Sequence, residues 1–184
     1  MGCDNFPRFE QSLLKYQEQL AQVKGIGKAT KAASLHLTVA CLHISDENNE
    51  MDEIRKKLDR AIERFKDLIL SHYGFMMTFG KLAFGDYGIV WLEVELRKEL
   101  VTCLREYIEV EAVEFITELR FVPHLTIFRK GSLETEEKAQ LVASSVHTRL
   151  GCISAEGMTF RETKKGPGAD VLDPVATWAF FSRN

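Results

Sequence analysis

The chain has 184 residues, of which 45% are hydrophobic and 28% charged, and its formal net charge is −3. That is enough apolar material for a buried core, and the composition is not that of a disordered segment. The slight acidity excludes a protein that coats long duplex DNA or RNA by neutralising phosphates, yet it leaves room for a nucleotide or short oligonucleotide at a locally positive site.

In chain order, the opening MGCDNF sets Gly2 where an acylation signal would, but Phe6 stands where Ser or Thr is wanted, so an ordinary terminus is expected. Leu13, Tyr16, Leu20 and Val23 recur at helical spacing and predict an amphipathic helix from Phe9 to Lys24. Gly25 and Gly27 end it, and GIGKATKAAS reads as a solvated loop whose Lys28 and Lys31 could attract phosphate. A strand is expected over Leu35–Ile44, then a long helix from Met51 to His72 with Ile54, Leu58, Ile62, Phe65 and Ile69 on one face.

Two strands, Phe75–Phe84 and Gly88–Glu95, flank the turn FGDYG. Tyr87 at its tip is a candidate for stacking on a base, whereas Trp91 reads as hairpin packing. A helix over Leu96–Tyr107 follows, and Val110–Arg120 is open between more helix and a short strand. FVPHLTIF is a strand that Pro123 confines to an edge, a strand start or a bulge. Ser132 caps a helix running to Leu150, and strands over Cys152–Phe160, Arg161–Lys164 and Val175–Phe181 close the chain around the loop KKGPGADVLDP. Helices outside largely antiparallel sheets, an α+β class, follow from this order. The four scattered cysteines have no metal-ligand spacing and suggest reduced thiols inside a cell. No apolar run reaches membrane-spanning length.

One tetrad occurs twice: HLTV at His36 and HLTI at His124. Side chains two apart in a strand share a face, so each tetrad turns an imidazole and a hydroxyl to one side and its aliphatic residues to the other. Two imidazoles and two hydroxyls around one small group suit a phosphodiester. A neutral histidine takes the proton of the attacking oxygen, a protonated one supplies the leaving oxygen, and Thr38 and Thr126 donate to non-bridging oxygens. Either tetrad alone has an ordinary structural explanation, a half-buried histidine beside a strand-forming threonine; the repetition is what makes chemistry the better one. No metal or other cofactor is required by this scheme. His43, His72 and His147 lack the motif, and the GxG at Gly25–Gly27 lacks the rest of a dinucleotide fingerprint.

HLTV at His36 and PHLTIFR at Pro123–Arg129 resemble the two HxTx motifs of the 2H phosphoesterase superfamily, and the resemblance extends over most of the chain. It is similar in particular to the eukaryotic branch containing the central domain of A-kinase anchoring protein 7 and the related domain of leukocyte receptor cluster member 9. The resemblance implies a bilobal, LigT-like α+β fold spanning residues 1–184 as a single domain, with two largely antiparallel sheets, helices outside and a central two-histidine cleft. It implies catalytic His36 and His124, substrate-binding Thr38 and Thr126, and metal-independent cleavage of 2′,5′-linked oligoadenylate or of 2′,3′-cyclic phosphates. A non-catalytic module holding AMP, or a protein-interaction domain whose tetrads are only strands, are the alternatives. The superfamily's basic residue three after the second threonine is answered by Arg129, although strand parity turns it away from His124 unless the strand ends or bulges there. The superfamily's opening strand has no counterpart in MGCDNFPRF. The expected partner is a short oligonucleotide or nucleotide, bound by a monomer in the cytoplasm or nucleus and away from membranes.

Overall fold

The computed structural model describes residues 6–31, 35–44, 50–70, 75–118, 120–145, 150–155, 157–161 and 174–180. Helix α1 spans Phe6–Leu20 and begins three residues before the periodicity suggests. Pro7 belongs to its first turn, where the amide hydrogen that proline lacks would have no helical partner anyway. Phe9, Leu13, Tyr16 and Leu20 are buried along one stripe, and Gln17 is buried among them.

The chain divides into two units. The first holds α1, α4 (Thr135–Ser145) and one five-stranded antiparallel sheet in the order β1-β4-β3-β2-β5. Its strands are β1 (Lys28–Ala29), β2 (Met76–Phe84), β3 (Val90–Val94), β4 (His124–Arg129) and β5 (Cys152–Ser154). The alternation in β3 buries Val90, Leu92 and Val94, and Leu82 and Leu125 face the same core. Each of these side chains is 5% exposed or less, so this layer is excluded from water. Pro123 stands immediately before β4, where its carbonyl accepts from the Val94 amide at 3.2 Å and no amide hydrogen is required of it.

The second unit holds α2 (Glu50–Leu70), most of α3 (Lys98–Ala112) and the hairpin of β6 (Gly157–Arg161) and β7 (Pro174–Ala179). Ile54, Leu58, Ile62, Phe65 and Ile69 are buried as their spacing predicts. Phe65 meets Phe75 and Phe180 edge-on at 5.3 Å each, a geometry aromatic rings favour. Trp178 Nε1 donates to Asp59 Oδ1 at 2.6 Å and ties the hairpin to α2. Arg105 on α3 is 3% exposed, with its guanidinium donating to Val39 O, Glu118 O and Glu109 Oε1.

Several boundaries differ from expectation. Leu35–Ile44 is not one strand: it makes isolated antiparallel bridges, Leu37 to Leu125 in the first unit and Leu42 to Ile116 in the second, because it is shared between units and pairs with a different neighbour in each. The open stretch after α3 tightens into a 3₁₀ turn at Val113–Phe115 before that bridge. The helix expected from Ser132 starts at Thr135, and the Cys152–Phe160 strand is split into β5 and β6. Residues 162–173, with the GPG turn, lie outside the described residues, as do His72 and His147. Cys41 and Cys103 are free thiols, but Cys152 is disulfide-bonded, which corrects the expectation of a wholly reduced set. Among the described residues no helix is long and apolar enough to cross a membrane.

Candidate active site

The two tetrads lie side by side. Leu37 bridges Leu125 in antiparallel register, so His36 falls opposite Thr126 and Thr38 opposite His124. Leu125 is buried. The alternation in β4 therefore sends His124 and Thr126 to the other face, where both are half-buried, and His36 is exposed. His36 and His124 are diagonal neighbours in this register, with backbones about 7–8 Å apart, a span that leaves room for one tetrahedral group between the rings. The arrangement is two-fold: each histidine faces the other tetrad's threonine.

The imidazole of His124 is oriented by its own strand. Its Nδ1 lies 2.6 Å from Val122 O, and because a carbonyl can only accept, Nδ1–H is the donor. That bond fixes the neutral tautomer and leaves Nε2 as the nitrogen able to take or give a proton. On the neighbouring strand, Glu93 is the cross-strand partner of His124 and Trp91 that of Thr126. The Trp91 ring lies 4.9 Å from the His124 ring with 41° between planes. The sequence reading assigned Trp91 to packing; the register places it on the histidine face. That parity was legible from the sequence, but the pairing of this hairpin with the second tetrad was not.

Arg129 joins the same face through a bulge. Between the pairs Val90–Phe128 and Trp91–Thr126, β4 advances two residues while β3 advances one. Ile127 and Phe128 are consequently both buried, and Arg129 is exposed on the side of His124 and Thr126. This is the bulge on which the expectation for Arg129 depended. Lys28 is its partner across the edge pair and is exposed as well, so two cations stand together about 10 Å along the strand from Thr126.

Tyr87 is not brought to the histidines. It is 93% exposed, has φ of 57° and sits at the hairpin tip, where Gly88 O accepts from Gly131 N at 2.9 Å. That places its turn beyond Arg129, on the order of 15 Å along β4 from Thr126. Among the described residues, no group of three or more His, Cys, Asp or Glu side chains is placed to hold a metal ion.

No family model and no curated protein matches the chain. Solved structures do. Escherichia coli LigT complexed with 3′-AMP superposes with a TM-score of 0.63 at 19% identity, over 96% of this chain and 94% of its own. A crystal structure described as a phosphoesterase gives 0.57 at 18% identity over 96% and 94%. LigT in its apo form gives 0.53 at 17% over 96% and 93%. The chain has the LigT-like α+β fold, with a curled antiparallel sheet and four helices among the described residues.

Proposed function

We propose that the chain is a metal-independent phosphodiesterase of the 2H type, acting on a short RNA-like substrate with His36 and His124 as its acid–base pair. The observation that supports the reading is the Leu37–Leu125 bridge, whose antiparallel register sets His36 opposite Thr126 and Thr38 opposite His124.

In the reaction, one imidazole takes the proton from the attacking oxygen, which is water or a ribose hydroxyl of the substrate. That oxygen bonds to phosphorus as the bond to the leaving oxygen breaks, and the second imidazole, protonated, supplies the leaving oxygen's proton. Thr38 and Thr126 donate to the non-bridging oxygens, where negative charge builds in the transition state. Arg129, on the same face, attracts the polyanionic strand. For His124 the active nitrogen is Nε2, since Nδ1 is held by Val122 O.

The substrate class is the finer part of the proposal. A 2′,5′-linked oligoadenylate is the first choice, as the motif resemblance implies, with 2′,3′-cyclic phosphates second. The fold is shared with a protein crystallised with 3′-AMP, which agrees with a small nucleotide ligand. The test is turnover of 2′,5′-triadenylate and of a 2′,3′-cyclic nucleotide in EDTA, with the bell-shaped pH dependence that one acid and one base together produce. Cleavage that vanishes with chelator contradicts the mechanism. Tight AMP binding without cleavage of either substrate favours a binding module on the same face.

A further inference from the structure

Trp91 is an expensive side chain for the place it occupies. It is half-buried, yet its indole Nε1 is buried without a hydrogen-bond partner among the described residues. A phenylalanine would fill the same side of the hairpin without stranding a donor. The ring also depends on a glycine. A Cβ built on Gly85 would lie 2.1 Å from Trp91 Cζ3 and 2.8 Å from Cη2, so the six-membered ring occupies the space where that side chain would stand. Against the indole, at 4.9 Å between centroids, stands the imidazole of His124. Gly85, Trp91 and His124 thus succeed one another across the hairpin and onto β4, and Ala83, the cross-strand partner of Trp91 on β2, is too small to displace the ring.

The imidazole has two torsions to be fixed. The Nδ1 bond to Val122 O restrains the rotation of the ring about its own axis. A swing of the whole side chain across the face of the sheet toward β3 would break that bond, and a single hydrogen bond is a weak restraint on it. The indole stands in that path. We propose that Trp91 is a positioning residue for His124, holding the ring so that Nε2 points toward the group shared with His36. This rests on the phosphodiesterase reading for its catalytic consequence, but not for its geometry.

The test uses three variants of the full chain, Trp91→Ala, Trp91→Phe and Gly85→Ala, with two readouts. The first is steady-state cleavage of 2′,5′-triadenylate and a 2′,3′-cyclic nucleotide; the second is the χ1 rotamer of His124, read by NMR from its three-bond couplings, which do not depend on the indole's ring current. Trp91→Ala should lower kcat roughly 10–100-fold while leaving KM nearly unchanged, because only the aim of the acid–base group is lost. Its His124 couplings should move toward rotamer-averaged values. Trp91→Phe should restore most of kcat and keep the wild-type couplings. Gly85→Ala, which leaves the indole present but pushes it aside, should lower kcat in the same direction and change the His124 couplings.

A rise in KM at constant kcat overturns the proposal, since it makes Trp91 a substrate contact. Unchanged His124 couplings in both Trp91→Ala and Gly85→Ala overturn it too. If the wild type turns over neither substrate, the phosphodiesterase reading fails, while the NMR arm still decides whether Trp91 orients His124. Should Trp91→Ala not fold, Trp91→Phe and Gly85→Ala decide alone.

Discussion

Replacing Arg105 by methionine is expected to destabilise the chain by about 2–4 kcal/mol, and the figure can be built from its contacts. Nη1 donates to Val39 O at 3.2 Å, Nη2 to Glu118 O at 2.5 Å and Nε to Glu109 Oε1 at 2.7 Å. The guanidinium carbon also stands 5.6 Å from the centre of the Phe121 ring. Methionine keeps the buried stem but removes every donor. Hydrogen bonds from a charged donor are each worth about 1.5–3 kcal/mol, so losing those to two carbonyls forfeits roughly 3–6 kcal/mol. Glu109 is 39% exposed and recovers water, so its share is small. Burial of an apolar side chain in place of a cation returns about 1–2 kcal/mol, so the net spans about 1–5 kcal/mol, with about 2–4 kcal/mol as its central part.

For a chain of this length each kcal/mol moves Tm by about 2–4 °C, so a fall of roughly 4–16 °C is expected, with a matching drop in the urea midpoint at unchanged slope. Val39 and Phe121, like Glu118 and Glu109, lie with Arg105 in the second unit. Lysine should be no rescue, because a single ammonium cannot reach both carbonyls as the planar fork does. A loss below about 1 kcal/mol, or wild-type stability in Arg105→Lys, refutes the reasoning that these carbonyls depend on the fork.

Three further outcomes are expected. Thr126→Val, which keeps the strand-forming shape and removes the donor, should lower kcat roughly 100-fold or more with the fold intact by circular dichroism; an unchanged kcat removes Thr126 from the phosphate site. Lys57 donates to Glu114 at 2.6 Å and holds that carboxyl below the usual carboxylate range, so the stabilisation is present above the ordinary carboxylate pKa and lost as pH falls through the lowered one. Melting scans taken downward from neutral pH should therefore show a shallower acid-side loss in Lys57→Met, and identical curves contradict the pairing. Gly27 has φ of +102°, and a Cβ there would lie 2.4 Å from Arg129 O, so Gly27→Ala should cost more than about 1 kcal/mol in urea unfolding; a neutral result refutes the close approach.

The long helix and the tetrads were legible because their signals are local and periodic. Ile54 to Ile69 recur at helical spacing over about four turns, and no tertiary partner is needed to read them. Each tetrad's two faces follow from strand parity alone. What escaped the sequence depends on partners distant along the chain. Leu35–Ile44 has the composition of one strand, but its pairing is divided between Leu125 and Ile116, and no local pattern records that. The bulge that turns Arg129 toward Thr126 exists only in the register between β3 and β4. Trp91 packs on the hairpin as its sequence context suggests, against Gly85, but only the pairing of β3 with β4 shows that His124 shares its face. Tyr87 was chosen for exposure at a turn tip, and it is exposed, but the hairpin ends beyond the histidines.

The central claim is that the two tetrads act on one phosphate, and the most direct measurement is a double-mutant cycle. Cleavage of 2′,5′-triadenylate in EDTA would be followed for wild type, His36→Ala, His124→Ala and the double variant, each confirmed folded. If both imidazoles serve one transition state, removing the second costs little once the first is gone, so the double variant should be scarcely slower than the slower single. Costs that multiply, as for two independent groups, would contradict the account.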